Sequence, residues 1–334
     1  MKRRKFISRT MTGSALAGGV AGMMGTQSAH ATQSGYLTFA DDLVVERKVS
    51  GKPHEGKVLM AIHPHVDDVP LYCAGTVAKL IDEGYTGYLL KTTNDEENVN
   101  TTGKGVVGND EANNEIARVL GLKKAYNIGY RKHRMVNIAV QELKMQLIYL
   151  FRMLKVNAVF CIDPWSHYDE NYDHVVTAQA VEEARWHSSQ REDYPEHMKT
   201  GLSSINVNEV YWYGRGPQLV DRVVDISSYI DKKVETNVSN KVWGPSLNRG
   251  VRLRERLVKE KKKLSILGND DHTANFQFVK QFQMEGEKAL GEKFGFEYAE
   301  AFHYIGRSLF DPVIREGFTP TLEDYLEKHA EPLN

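Results

Sequence analysis

The run Val58-Leu59-Met60-Ala61-Ile62 is apolar without a break and stops abruptly at His63-Pro64-His65-Val66-Asp67-Asp68. No other feature constrains the fold of this chain more. An apolar run without alternation does not fit a half-wet strand, and it predicts a strand buried on both faces, as in a parallel sheet. The loop leaving the carboxyl end of such a strand is where open α/β sheets hold their ligands. Here that loop carries two histidines and two adjacent aspartates, side chains suited to a metal site. Val69-Pro70 then turns the chain into the small-residue stretch Cys73–Ala78. A helix is expected from about Pro70 to Glu83, since proline fits a first turn, Asp68 is a candidate N-cap and Gly84 ends it.

The same alternation continues downstream. Strands are expected at Tyr85–Thr93, Ala125–Gly129, Ala158–Ile162, Asn208–Tyr213 and Leu219–Asp225. Between them lie helices at Asp110–Leu120, Ala139–Lys155 and Val175–Ala184; in the second, Leu143, Leu147, Leu150, Phe151 and Leu154 recur at three and four. Strand and helix in alternation predict a Rossmann-like α/β fold, a mostly parallel sheet flanked by helices and joined by right-handed crossovers. From about Asp231 to the end the pattern is largely helical, forming a C-terminal extension of the same domain. Thr32–Gly56 reads as an extended lead-in, and Asn98–Asn109, rich in Thr, Gly and Asn, as a mobile loop. The charged stretch Arg252–Lys263 is the wet face of a surface helix, and Asp270-Asp271-His272 is structural.

The first 31 residues read as a targeting segment. Arg3-Arg4 in a basic start is followed by Phe6-Ile7, a mildly apolar Gly/Ala stretch and Ala29-His30-Ala31, a twin-arginine leader with cleavage near Ala31. A periplasmic or secreted location follows. The leader holds five of the 43 Lys and Arg and none of the 44 acids, so the remaining chain, 32–334, carries 38 against 44, a net of −6. Such a surface has no electrostatic attraction for nucleic acid. No later apolar run reaches the ~20 residues of a membrane span. Cys73 and Cys161, in apolar contexts and without CxxC spacing, are expected as buried thiols.

Two strand ends concentrate the chemistry. The first gives His65-Val66-Asp67-Asp68; the second, after Ala158–Ile162, gives Asn171-Tyr172-Asp173-His174. Catalytic zinc takes three protein ligands and leaves one position open. His65, Asp68 and His174 meet that count, with Zn²⁺ the best match and Fe²⁺, Ni²⁺ or Co²⁺ chemically compatible. Asp67 is then left beside the metal, able to take a proton from the water that the cation acidifies. Asp173 is placed to hold a metal ligand by hydrogen bond. His63 lacks the spacing and is a structural neighbour. On the substrate side, Asn94, His133 and Arg134 lie at strand ends expected to rim the same pocket.

The joint pattern resembles the de-N-acetylase family that includes the N-acetylglucosaminyl-phosphatidylinositol deacetylase (PIG-L) and the bacterial LmbE-like enzymes. The first family motif, H-x-D-D with a Gly-Thr pair and a helix, stands here as His65–Asp68 with Gly75-Thr76. The second, usually H-x-D-H, matches Asn171–His174, and Tyr298–Phe302 is similar to the closing "yAEaF" segment. The resemblance spans roughly Lys57 to Gly306. It implies metal ligation by His65, Asp68 and His174, Asp67 as general base and Asp173 as a supporting residue. Two departures stand out. Val69-Pro70 replaces the acidic residue that commonly follows the Asp pair. Asn171 replaces the histidine that in relatives helps stabilise the tetrahedral oxyanion; an amide donates a hydrogen bond there but cannot act as a charged acid. His167 and Tyr168 are candidates for that role from the same loop, and Tyr168 also for substrate contact.

The function these residues imply is an exported, zinc-dependent hydrolase that removes an acyl group, most naturally acetyl, from the nitrogen of an amino sugar or glycoconjugate. Its partner is a small N-acylated sugar; the oligomeric state is left open. Two alternatives stand beside it: a non-catalytic periplasmic protein of this fold that binds metal and carbohydrate, motivated by Asn171, and an amidase acting on a non-sugar conjugate.

Overall fold

The computed structural model describes residues 37–96, 104–165, 169–242, 248–306 and 322–332. The leader and Tyr168 lie outside these residues. Within them run strands β1 (Leu37–Glu46), β2 (Val58–His63), β3 (Thr86–Thr93), β4 (Lys124–Tyr130), β5 (Ala158–Ile162), β6 (Glu209–Tyr213), β7 (Gln218–Asp225) and β8 (Ala299–Ile305). They form one sheet in the order β1-β7-β8-β6-β5-β2-β3-β4. β2 pairs in parallel with β3 on one side and β5 on the other, and β5 pairs in parallel with β6. The Rossmann-like, mostly parallel sheet expected from the sequence is therefore present.

The order of the strands locates the site. From β2 the chain adds β3 and β4 outward on one side, then crosses back to lay β5 on the other. The connections reverse between β2 and β5, and the crevice at such a switch point is where α/β sheets bind ligands. The apolar runs behave as their patterns require: every residue of β5 is buried, and Leu59, Met60, Ala61 and Ile62 of β2 are fully enclosed in the principal core.

Four expectations need correction. The polar lead-in contains a true strand, since β1 pairs in parallel with β7 at the sheet edge. The helix expected from Pro70 to Glu83 is two, α1 (Asp68–Tyr72) and α2 (Ala74–Asp82), broken at Cys73. The break is stabilised by Glu300, whose carboxylate accepts from the amides of Gly75 (3.0 Å) and Thr76 (2.8 Å) and from the Thr76 hydroxyl (2.6 Å). An anion there satisfies orphan amides at the start of α2. The loop expected through Asn109 ends earlier, because α3 (Lys104–Leu120) begins within it. Gly108, suggestive of a turn, instead allows close packing: a Cβ there would sit 2.6 Å from Val242.

The fourth correction concerns the C-terminal part. Its helices α7 (Ile230–Ser239), α8 (Arg249–Lys259), α9 (Asp271–Phe282) and α10 (Glu285–Phe294) are present. The chain then returns as β8, antiparallel to both β6 and β7 and inserted between them. The segment matched to "yAEaF" is thus sheet core, with Ala299 and Phe302 fully buried. The remaining helices introduced here are α4 (Val140–Leu154), α5 (Tyr172–His187) and α6 (Pro195–Lys199). Asp270 caps α9 through the Thr273 amide and His272 pairs with Glu235, so that trio is structural as expected. Cys73 and Cys161 are free, buried thiols. Among the described residues no helix is long and apolar enough to cross a membrane.

Candidate metal centre and active site

The ends of β2 and β5 meet as the topology requires. His65 and Asp68 follow β2, Asp68 opens α1, and His174 lies in the first turn of α5. All three are nearly inaccessible to solvent. His65 Nδ1 lies 3.2 Å from His174 Nε2 and 3.6 Å from Asp68 Oδ2, and His174 Nε2 lies 3.5 Å from Asp68 Oδ1. Ligands around a tetrahedral ion at about 2.0–2.1 Å are separated by about 3.3 Å, so these donors are spaced to share one cation. The set of two imidazoles and one carboxylate fits zinc or a similar divalent transition metal.

Each imidazole is fixed from behind by a carboxylate. His65 Nε2 is 3.1 Å from Asp173 Oδ2, and His174 Nδ1 is 2.7 Å from Asp169 Oδ2. These bonds leave His65 Nδ1 and His174 Nε2 facing Asp68, an arrangement that sets the tautomer and orientation of metal-ligating histidines. Asp173 also accepts from the backbone amides of His133 (2.7 Å) and Met135 (3.3 Å), tying the β5 loop to the β4 loop. His65, His133 and Asp173 make a second group of neighbouring donors. These bonds account for it as an orienting cluster that shares His65.

The charges follow from the crowding. For Asp68, the His174 and His65 rings beside it outweigh burial and hold its carboxyl well below the usual range. Burial opposes a charge on His65, but Asp173 and Asp68 overcome it and push that imidazole up to about 10. Asp67, half-buried, is pushed up to about 7 by burial and by the adjacent Asp68 carboxylate. Asp67 occupies the N-cap position of α1 without making a side-chain cap bond, so its carboxylate is not spent on the helix. His63 is fully buried, bonded to Asn113 Oδ1 at 2.9 Å and lowered by burial to about 4, a neutral structural imidazole.

The other candidates separate. Asn171 N-caps α5: its Oδ1 accepts from the Asp173 amide at 3.1 Å. Asn94 braces loops, donating to Glu96 (3.0 Å) and accepting from the amide of Lys132 (3.3 Å). Arg134 is exposed and precedes a short turn of 3₁₀ helix, Met135–Asn137. His133 alone of these three substrate-side residues lines the cleft beside the centre, of about 330 Å³, with Val136, Glu170, Asn171, Tyr172 and Arg215.

Sequence reasoning missed three groups. Asp169, two residues before Asn171, could have been found as a second carboxylate in a histidine-bearing loop. Arg215, in Gly214-Arg215-Gly216 after β6, is a lone cation at another strand's carboxyl end. The third is the support behind α1. Lys233 Nζ, fully buried, donates to the Leu71 carbonyl (2.6 Å) and Glu300 (2.7 Å) and pairs with Glu287 (3.2 Å). Asn237 donates to the Pro70 carbonyl at 2.9 Å. No short motif betrays these contacts, and those that reach α1 join residues more than 160 positions apart.

Comparison with known proteins adds the family. The model of the GlcNAc-PI de-N-acetylase family, PIG-L, matches residues 60–185, the segment holding both strand ends. Over that segment the chain is similar to the PIG-L family. It is similar to the diacetylchitobiose deacetylase of Thermococcus kodakarensis, 24% identical over 218 residues that cover 60% of this chain and 78% of that protein. Among solved structures, it resembles the N,N′-diacetylchitobiose deacetylase of Pyrococcus horikoshii with a TM-score of 0.56 and 21% identity, over 80% of this chain and 88% of that one. The 4-carboxy-2-hydroxymuconate hydratase of Pseudomonas putida has the same fold, with a TM-score of 0.53 and 15% identity over 75% and 97% of the two chains. The PIG-L fold thus carries a hydratase as well as deacetylases, and the reaction has to be argued from the site.

Proposed function

We propose that this protein is an exported, zinc-dependent hydrolase that removes an N-acyl group, acetyl in the first instance, from an amino sugar or glycoconjugate. The observation that carries the reading is the convergence of His65, Asp68 and His174 donors, with each histidine backed by its own carboxylate and Asp67 left uncommitted beside them. His65, Asp68 and His174 would hold the cation. Bound there, a divalent cation supplies Lewis acidity toward an acyl carbonyl and toward water.

The remaining chemistry belongs to the chain. Asp67, with its carboxyl pushed up to about 7, accepts a proton from the attacking water near neutral pH. The water oxygen bonds to the acyl carbon, and the carbonyl electron pair moves onto oxygen. When the oxygen pair returns to re-form the carbonyl, the C–N bond breaks and its pair stays on nitrogen, which takes the proton from Asp67. The products are a carboxylic acid and an amine, and the acid's remaining proton passes to the amine to leave carboxylate and ammonium. Deacetylation of an N-acetyl sugar agrees with the family and with the activity in the names of the two diacetylchitobiose deacetylases.

The test is acetate release from N,N′-diacetylchitobiose by zinc-loaded protein, wild type against Asp67→Asn. Turnover is expected to fall by about 10²–10⁴, with one zinc still bound per chain. Equal turnover in the two proteins refutes the assignment of the base. For export, replacing Arg3-Arg4 with two lysines is expected to leave the precursor in the cytoplasm. Continued appearance outside it refutes the twin-arginine route.

A further inference from the structure

Position 171 leaves part of this reaction unassigned. The attack of water places a negative charge on the former carbonyl oxygen, and preorganised donors or cations at that point are a large part of acyl-transfer catalysis. Asn171 stands where the family motif has histidine. It has no charge to offer, and its side-chain carbonyl is spent on the Asp173 amide as the cap of α5. Another cation lines the same cleft. Arg215 reaches it from the loop after β6, with Asn171, Tyr172 and His133 as fellow lining residues. Its charged neighbours are Asp68, a proposed metal ligand, and Asp169, the carboxylate behind His174.

The guanidinium is also held. It hydrogen-bonds to Tyr72, one turn beyond Asp68 on α1. The Tyr72 ring is stacked on Tyr213 of β6, with centroids 5.7 Å apart and planes at 12°. Arg215 must donate in that bond, since a guanidinium has no acceptor. The phenolic hydrogen of Tyr72 is therefore left for another acceptor. Burial raises the Tyr72 pKa well beyond the ordinary phenol, so that hydrogen stays in place at working pH. Arg215 is thus a fixed cation lining the cleft, held from behind by Tyr72.

We propose that Arg215, held by Tyr72, supplies the positive charge that stabilises the oxyanion, the part that Asn171 cannot play in this chain. The assignment rests on the deacetylase reading above. As water's oxygen bonds to the acyl carbon, the carbonyl pair moves onto oxygen and meets the guanidinium. When that pair returns and the C–N bond breaks, the contact weakens, so the interaction favours the transition state over the bound amide.

The experiment uses zinc-loaded, full-length mature protein and two probes measured by calorimetry: N-acetylglucosamine, planar at the acyl carbon, and its methylphosphonamide analogue, tetrahedral and anionic there. Wild type is expected to bind the tetrahedral probe at least tenfold more tightly than the planar one. Arg215→Met should lose that preference and keep the planar affinity, while kcat for diacetylchitobiose falls about 10²–10³ with KM little changed. Guanidinium chloride should restore part of the Arg215→Ala rate, a response that a purely structural role would not give. The substitution Asn171→His in the Arg215→Met background should also recover turnover. If wild type shows no tetrahedral preference, both this proposal and the deacetylase reading fall. If wild type shows it and Arg215→Met keeps it, this proposal alone falls. Loss of the preference in Tyr168→Phe but not in Arg215→Met would give the role to the β5 loop and equally overturn it.

Discussion

Replacing Lys233 with methionine tests whether the α1 turn is held from behind. The Lys233 ammonium is completely buried and touches Glu300 at 2.7 Å, Glu287 at 3.2 Å and the Leu71 carbonyl at 2.6 Å. Burial works against its charge, but Glu300 and Glu287 outweigh that and raise its pKa, so it remains an ammonium. Methionine fills similar volume but leaves the buried Glu300 without its cation and the Leu71 carbonyl without a donor. Breaking one partner of a buried ion pair costs about 3–5 kcal/mol, and an orphaned carbonyl adds about 1–3 kcal/mol. Glu300 keeps its three donors on α2 and can take up a proton, so the lower end of the sum, about 4 kcal/mol, is expected. At about 2 °C per kcal/mol for a domain of this size, the melting temperature should fall by about 8 °C. The loss should shrink in the double variant Lys233→Met/Glu300→Gln, which removes the uncompensated charge. Zinc affinity should drop as well, because Leu71 lies in the same short helix as Asp68. Thermal unfolding and competition with a chromogenic chelator measure the two effects. A Lys233→Met protein within 1 kcal/mol of wild type, with unchanged zinc affinity, would sink the idea that this network positions α1.

Two further outcomes follow from the geometry. Zinc needs neutral His65, whose pKa is pushed up to about 10. Below that pH, loading must displace its proton, so apparent affinity should rise by up to about tenfold per pH unit between pH 6 and 8; a pH-independent chelator titration contradicts it. Gly75→Ala places a Cβ 2.7–2.9 Å from three atoms of the fully buried Ile226. Overpacking of that kind costs about 1–3 kcal/mol, and an unshifted melting curve would refute it.

The parts of this protein that were legible in its sequence share one physical property: they depend on local pattern. Unbroken apolar runs announced β2 and β5, and the three-and-four spacing of Leu143 to Leu154 announced α4. The grouping of His65, Asp67 and Asp68 on one strand end, with His174 on another, needed only the rule that parallel strands gather their loops at one edge. What stayed hidden depends on contacts across the chain. β8 follows a long helical stretch, and nothing in Ala299–Ile305 says that it will run against β6 and β7 and separate them. The break at Cys73 depends on Glu300, more than 220 positions away. Asn94 looked like a substrate contact by its place at a strand end, but its amide is consumed in bracing the β3 loop.

Asp173 carries a consequence that sequence adjacency would have given the other way. It stands next to His174, yet its carboxylate serves His65, 108 positions earlier, while His174 is held by Asp169. The two supports should therefore fail differently. In Asp169→Asn the side-chain oxygen can stay on the Asn171 amide while the bond to His174 is disturbed, and zinc affinity should fall about 10–100-fold with KM unchanged. In Asp173→Asn the amide must replace a carboxylate that accepts from His65, from the His133 amide and from the Met135 amide. One oxygen cannot serve all three, and the Asn nitrogen meets a donor where it needs an acceptor. The β4 loop bearing His133 should loosen along with the metal ligand, raising KM for diacetylchitobiose as well as weakening zinc. Proteins matched for zinc occupancy separate the two effects. Equal KM in Asp169→Asn and Asp173→Asn would mean that the bridge between the β4 and β5 loops does not shape the substrate cleft.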